Sequence, residues 1–409
     1  MREYNTLDDF ELENKTVFLR VDFNLPLDKE SFEILDTTRI KRALPTIKEL
    51  VDKKAKTVIL AHQGRKGSWD FIDLKSHAKA TEELLGKPVK FINDIFGKTA
   101  QESIKKMGPG EVIMLDNVRK FDGETDKKSA EEHSESEFVQ GLYPFADLFV
   151  NDAFAAAHRK QCSLIGFTTV LPSAAGRLME KELTTLGKII QKPEKPSVFL
   201  FGGAKFSDVV VTIERLLDNK TADKIILTGL PANAFIKSNG VNLGSKNEEL
   251  MNKEGSEEIF GDIKKLMNKY GEQIVLPVDF AVEENEKRQE VSIDDLPVDN
   301  YLFDIGEKSI ELFKDILSGA KTVFLSGPCG VFENPMFMKG TKEIFSHVTS
   351  LDVFSIVGGG HTVAAVGKLG LIDKMSHIST GGGSLEKFMM GEKLPVVEAL
   401  KASKEITIQ

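Results

Sequence analysis

Short apolar runs alternate with stretches of helical periodicity along most of the chain. Lys15–Val21, Lys56–Ala61, Val89–Asn93, Glu111–Asp116 and Asp147–Asn151 are near-continuous apolar runs, the pattern of parallel strands buried on both faces. Between them, Arg39–Lys53, Leu74–Leu85, Gly97–Met107 and Ala130–Tyr143 place apolar residues at helical spacing. Strand–helix repetition of this kind predicts a doubly wound parallel sheet. Ser173–Gln191 predicts a long helix, capped by Ser173 and stopped through Pro193 and Pro196. A second series of runs follows: Pro196–Gly202, Asp223–Gly229, Gln273–Phe280, Lys321–Gly327 and Asp352–Gly358. The pattern therefore predicts two α/β halves joined by one helix. Met375–Gln409 adds a strand, a Gly-rich turn and two short helices, and the polar runs Asp122–Glu137 and Glu283–Asn300 read as solvated loops or helix faces.

Length agrees, because 409 residues are too many for one core. The expected divisions are an N-terminal domain over 1–172, a connecting helix over 173–192, a C-terminal domain over 193–374, and a segment over 375–409 returning toward the hinge and the N-terminal domain. With 41% hydrophobic and 29% charged residues the composition is globular. A net charge of −9 argues against nucleic-acid binding by blanket positive charge, so any bound anion must meet a local basic cluster. Cys162 and Cys329 are too few and too far apart for a disulfide framework or a paired-cysteine metal site, and no protein metal-ligand set is expected. The opening MREYNTLDDF lacks the basic-then-apolar run of a signal peptide. The apolar stretch Ser355–Ile372 is broken by three consecutive glycines, His361 and Lys368, so no membrane span is expected and the chain reads as soluble and cytoplasmic.

Arginine and glycine divide the chain unevenly. Eight of the ten arginines lie in the first 177 residues, and 22 of the 33 glycines lie after residue 201. Arginine offers a planar fork of donors matched to carboxylate and phosphate oxygens. Glycine lets backbone N–H groups approach a phosphate at a helix N-terminus. Arg20, Arg65, Arg119 and Arg159 follow or end expected strands, where open α/β sheets bind ligands. The glycines also fall at strand ends: Gly202-Gly203-Ala204-Lys205, Gly327-Pro328-Cys329-Gly330 and Gly358-Gly359-Gly360-His361. Together these predict a small anionic ligand in the first half and a phosphate-bearing one in the second. Neither a Walker A loop nor a dinucleotide fingerprint is present: Gly360 and Gly367-Lys368 are wrongly spaced, and Val21-Asp22-Phe23-Asn24 follows the first strand.

RVDFN (Arg20–Asn24), TTRI with Arg39, AHQGR (Ala61–Arg65), DNVRKFDGE (Asp116–Glu124), NDAFAAAHR (Asn151–Arg159), GGAKFSD (Gly202–Asp208), GPCGVFE (Gly327–Glu333), IVGGGHT (Ile356–Thr362) and HISTGGG (His377–Gly383) together resemble the phosphoglycerate kinase family, in that family's order and across nearly the whole chain. The Gly-Gly-Gly-His form is most similar to the archaeal branch. The resemblance implies two Rossmann-like domains joined by a hinge helix, with a deep interdomain cleft. It implies a hinge-bending kinase that moves a phosphoryl group reversibly between 1,3-bisphosphoglycerate and ADP, giving 3-phosphoglycerate and ATP in glycolysis and gluconeogenesis. Asp22, Phe23, Asn24, Arg39, His62, Gln63, Gly64, Arg65, Arg119 and Arg159 would hold the phosphoglycerate. Gly203, Ala204, Lys205, Pro328, Val331, Glu333, Gly358, Gly359, Gly360 and His361 would hold the nucleotide, with Glu333 at the ribose. Arg39 and Lys205 would stabilise the transferring group, assisted by N–H groups near Gly360 and Gly382–Gly383. Mg2+ would enter with the nucleotide, no nucleic acid or membrane would be bound, and a monomer is expected with a dimer as the alternative.

The chain departs from the family pattern in four places: Val209 stands for a second lysine, Leu325-Ser326 for a Trp-Asn pair, His361 for a magnesium-facing aspartate, and Thr228-Gly229-Leu230-Pro231 for the bacterial-type adenine-pocket glycines, which leaves ATP-versus-GTP preference open. Imidazole does not replace a carboxylate as a hard-cation ligand. Magnesium would then be held mainly by nucleotide phosphates and water, with Asp208 nearby. Two alternatives stay open at this level: a catalytically impaired nucleotide-binding homologue, and a kinase for another small phosphorylated acid. Arg42, Arg177, Arg215 and Arg288 read as solvated charge, and His77, His133 and His347 as surface residues. His158 reads equally as a packing residue or a ligand contact, Cys329 as a packing residue, and Trp69 as a mobile lip of the substrate site.

Overall fold

The computed structural model describes residues 2–254 and 257–407. The chain forms two compact units, one running to Thr184 and resuming at Lys393, the other spanning Thr185–Glu392. In the first, six strands make one parallel sheet: β1 (Thr16–Arg20), β2 (Lys56–Leu60), β3 (Val89–Ile92), β4 (Val112–Leu115), β5 (Leu148–Asn151) and β6 (Ser173–Ala175). Their order is β3-β4-β2-β1-β5-β6. Strand alternation splits the core in two. Val17 and Leu19 pack with Ile40, Ile47 and Leu50 of the helix Thr38–Asp52, while Phe18 turns to Ile104 and Phe138 on the other face.

The second unit holds β7 (Ser197–Phe201), β8 (Lys224–Leu227), β9 (Ile274–Val275), β10 (Asp279–Glu284), β11 (Lys287–Ser292), β12 (Asp304–Ile305), β13 (Thr322–Ser326), β14 (Phe354–Gly358) and β15 (His377–Ile378). Six of them form a parallel sheet in the order β15-β14-β13-β7-β8-β9, and β11-β10-β12 form a small antiparallel one. In each parallel sheet the chain winds outward on one side of its first strand and then returns to the other. The reversals fall between β1 and β5 and between β7 and β13, and ligands bind beyond strand ends at such switch points.

Four sequence expectations need correction. Ser173 does not cap a helix; it pairs with Phe149 in β6, and the helix Arg177–Gln191 starts later. Its cap is Asp152, whose carboxylate accepts from the Met179 N–H at 3.0 Å. Ala130–Tyr143 is two helices, Ala130–Ser134 and Glu137–Leu142, each opened by its own serine cap at Ser129 and Ser136. Gln273–Phe280 breaks at Pro277, which has no N–H for a ladder, into β9 and β10 of different sheets. The polar run after Glu283 is no solvated loop: β10 and β11 pair from Asp279↔Ser292 to Glu284↔Lys287, turned by Asn285 and Glu286 at φ 52° and 58°.

The C-terminal segment divides between the units. β15 pairs with β14, whereas the helix Pro395–Thr407 lies with the first unit, where Val396 N–H donates to Ala157 O at 3.2 Å. Residues 408 and 409 of that segment lie outside the described residues. Among the described residues no helix is long and apolar enough to cross a membrane.

Candidate functional site

Parallel register carries the first unit's motifs to one edge. Arg20 at the end of β1 stands opposite Leu60 of β2 and Asn151 of β5, so the segments beyond them start side by side. Arg39, from the first turn of the helix Thr38–Asp52, places Nη1 2.5 Å from Asp22 Oδ2. Asn24 Oδ1 accepts from the Gly64 N–H at 2.9 Å, tying the loop after β1 to the loop after β2. A side chain at Gly64 would run into the Asp70 carbonyl at 2.4 Å.

Two residues expected at the ligand have side chains buried within the fold. Phe23 is fully buried in the core, and Gln63 gives its amide to the Leu25 backbone, accepting from N–H at 2.8 Å and donating to O at 3.1 Å. His77, read from sequence as surface, is buried with Nε2 3.0 Å from Gln63 Oε1.

Arg65, Arg119, Arg159, Lys66 and His158 line a cavity of about 720 Å³ within this unit. Arg119 is buried; Nη1 donates to Gly64 O, and Nε has no partner. Burial first, then the charges of Arg159 and Arg20, hold its guanidinium down to about 10. A donor left unpaired among like charges suits an incoming anion. Asp22 is the local counter-charge. Burial pushes its carboxyl up, but neighbouring His62, the charges of Arg39 and Arg20 and the Asn24 N–H prevail and hold it at about 2. His62 is kept neutral at physiological pH, chiefly by burial and with Asp22 only partly opposing. Arg20 itself lies at 0% exposure, with Nη2 3.1 Å from His62 Nδ1. Its burial was not legible, because it ends a run that reads as apolar strand.

The second unit builds its site from backbone. Gly327 (φ 93°) leaves β13 against Gly202 after β7, and a Cβ on Gly327 would lie 2.2 Å from the Gly202 carbonyl oxygen. The Gly203 N–H donates to Pro328 O at 2.9 Å, which knits the two turns at the switch point. Beside them lies a mainly apolar cavity of about 330 Å³, lined by Ala204, Leu230, Tyr301, Phe303, Val331 and Glu333. Tyr301 and Phe303 carried no motif; their signal is an aromatic pair beside a polar run. His361 lines the same cavity, and Gly360 opens the helix Gly360–Lys368 with free space where a side chain would be. A smaller recess of about 90 Å³ holds Lys205, Asp208, Val209, Gly359, Gly382 and Glu386. Burial, then the charge of Asp208, pushes the Glu386 carboxyl up, against Lys205. Gly383 begins the short helix Gly383–Met389 after Gly382 at φ 43°.

Other sequence readings shift. His133 is buried with Nε2 3.3 Å from Lys160 O, and His347 is half-buried against Ser318. Arg177 pairs with Glu49, Asp8 and Glu180, and Arg288 with buried Asp304 at 2.8 Å, so neither is idle surface charge. Arg42 is half-buried near Glu182 and Asp36, while Arg215 is exposed. Burial pushes the Cys329 thiol up, which fits a packing residue. Trp69 is 46% exposed, 6.4 Å from the Phe32 ring. No group of three or more metal-ligating side chains occurs among the described residues.

Residues 7–392 match the family model described as phosphoglycerate kinase. A phosphoglycerate kinase of Methanothermus fervidus is 42% identical over 99% of this chain and 98% of its own, and one of Methanococcus maripaludis is 46% identical over 98% of each. The crystal structure of phosphoglycerate kinase from Pyrococcus horikoshii OT3 is similar at a TM-score of 0.89 and 39% identity, covering 98% of this chain and 99% of that one. The phosphoglycerate kinase structure from Coxiella burnetii gives 0.84 and 32%, with 98% and 99% covered. With its motifs, both parallel sheets and nearly its full length matched, the chain belongs to the phosphoglycerate kinase family.

Proposed function

We propose that the first unit binds the phosphoglycerate and the second the adenine nucleotide, and that a phosphoryl group passes in line between them, from 1,3-bisphosphoglycerate to ADP and back. The observation that carries this is the cavity lined by Arg65, Arg119 and Arg159, with the Arg119 guanidinium buried and its Nε unpaired. That arrangement asks for a multiply charged anion. The mainly apolar cavity beside Gly203 and Pro328 supports a flat base, with Glu333 at the ribose.

In the ATP-consuming direction the nucleophile is a carboxylate, ionised at neutral pH, so no general base is required. Catalysis then rests on positioning and on positive charge facing the transferring group. Arg39, fixed by Asp22, and Lys205, solvent-facing beside Glu386, fill those roles, with the Gly360 and Gly383 N–H groups assisting. In-line transfer needs both reacting oxygens in reach of one phosphorus at once, which is why hinge-bending belongs to this reading. Magnesium fits the second unit: Asp208 and Glu386 are hard oxygen donors lining the Lys205 recess. When bound with the nucleotide, the ion neutralises phosphate charge.

A coupled assay for ATP formation tests the reading. Arg39→Ala and Lys205→Ala are each expected to lower kcat by roughly 10²- to 10³-fold, with circular dichroism unchanged. Folded variants with undiminished turnover would remove Arg39 and Lys205 from the chemistry.

A further inference from the structure

Behind the first unit's site lies a buried polar chain that substrate contact alone does not explain. Glu124, in the 3-10 turn Asp122–Thr125, accepts twice from Ser163: from the N–H at 2.8 Å and from the hydroxyl at 2.7 Å. The Ser163 hydroxyl in turn accepts from Arg20 Nε at 2.8 Å, and Arg20 Nη2 stands 3.1 Å from His62 Nδ1. Glu124, Ser163, Arg20 and His62 are each at most 1% exposed.

The protons in this chain are fixed by donor count. Guanidinium only donates, so His62 Nδ1 must accept and the ring's single proton sits on Nε2. The hydroxyl proton of Ser163 goes to Glu124, which leaves its lone pair for Arg20. Both Glu124 oxygens therefore act as acceptors, as a carboxylate does. Nε2 of His62 has no hydrogen-bond partner among the described residues.

We propose that Glu124, Ser163 and Arg20 are positioning residues that lock His62 as a neutral Nε2–H donor toward the phosphoglycerate. The inference rests on placing that substrate on the first unit. The groups facing His62 are Arg20, Asp22, Arg119 and Arg159. Asp22, held at about 2, and Arg119, held at about 10, do not change charge between pH 6 and 8, and His158, which lines the same cavity, is common to wild type and variant, so a difference between the two in that window belongs to His62. Burial pushes the Glu124 carboxyl up, against Arg20 and Ser163.

The test uses the full chain labelled with 15N. Long-range 1H–15N spectra of the wild type are expected to show His62 as the Nε2–H form, without titration from pH 6 to 8. Ser163→Ala breaks the chain at its centre, so His62 begins to titrate. A cationic imidazole attracts the anionic substrate, so the KM for 3-phosphoglycerate of Ser163→Ala, divided by that of the wild type at the same pH, should fall about three- to tenfold from pH 8 to 6. Ser163→Thr, which keeps the hydroxyl, should restore a flat ratio. A merely structural loosening would raise KM by one factor at every pH, and that result overturns the proposal. So does a wild-type His62 that titrates or carries its proton on Nδ1, an outcome that counts even where Ser163→Ala fails to fold. Because the spectrum needs no substrate, a wild type that binds no 3-phosphoglycerate instead overturns the assignment of the ligand.

Discussion

On the proposed reading the two units reach the same end, an anion held at the switch point of a parallel sheet, with different materials. In the first unit side chains would do the holding: Arg39 projects from the first turn of a helix, and Arg65, Arg119 and Arg159 from loops and short turns, around a scaffold of core strands. In the second the backbone would do it, and glycines at 202 and 327 let two turns lie against each other closer than any Cβ would allow. The contrast separates function from stability differently in each. A side-chain site can lose a residue while the strands beneath it stay packed. A backbone site is part of the fold, so the change that spoils the ligand also spoils the packing.

The largest expected effect tests the second half of that statement. Gly327→Ala forces a side chain onto φ 93° and drives its Cβ to 2.2 Å from a carbonyl oxygen that belongs to another main chain turn. Backbone strain and overpacking together should cost about 4 kcal/mol. Urea unfolding followed by hydrogen exchange at β13 should show this loss, and calorimetry should show ADP affinity falling with it. A variant that loses ADP but keeps full stability would mean that the turn serves the ligand alone, and the contrast between the units would fail.

A smaller effect comes from beneath the first unit's site. Asp152, at the end of β5, accepts from the Thr46 hydroxyl at 2.7 Å and caps the helix Arg177–Gln191. Burial is the chief cause that pushes its carboxyl from 3.8 to about 6, against the hydrogen bonds of Met179 and Thr46. Its folded-state value lies above its unfolded one, so between pH 4 and 6 the folded chain binds more protons. Stability therefore falls as pH rises through that window, by up to about 3 kcal/mol, and levels off above it. Asp152→Asn should flatten the slope. Exchange at β5 amides, read from pH 4 to 7, measures it; an unchanged slope in the variant would assign the effect to another group.

How much of this was legible follows from where the information lies. The runs that became β1, β2, β4 and β5 were readable because three or four consecutive apolar residues, buried on both faces, have few alternatives. β6 was not: Ser173-Ala174-Ala175 is too short and too weakly apolar to signal a strand, and only its pairing with β5 makes it one. The hairpin of β10 and β11 hid for the opposite reason, since Lys287, Arg288, Gln289 and Glu290 look like solvated chain until Arg288 meets Asp304. Local glycine and arginine motifs marked both sites. The residues that complete them did not stand out, because burial of Arg20, Glu124 and His77 is decided by contacts 14 to 143 residues away in sequence.

Arg119 supplies the smallest effect and the sharpest test of the first unit. Its guanidinium is buried with Nε unpaired, and the charges of Arg159 and Arg20 oppose it. Such a group weakens the free protein and repays only when an anion arrives. Arg119→Met keeps the apolar stem and removes the charge, so 3-phosphoglycerate affinity should fall roughly 10- to 100-fold, the worth of a charge-assisted hydrogen bond. In the same variant the free protein should be more stable by about 1 kcal/mol, since an unsatisfied buried donor and two like-charge contacts are gone, less the bond to Gly64 O. Calorimetric titration and urea unfolding of one preparation read both signs together. Affinity and stability lost in parallel would show that Arg119 holds the fold as the glycines of the second unit do, and the two sites would then differ in residue type but not in kind.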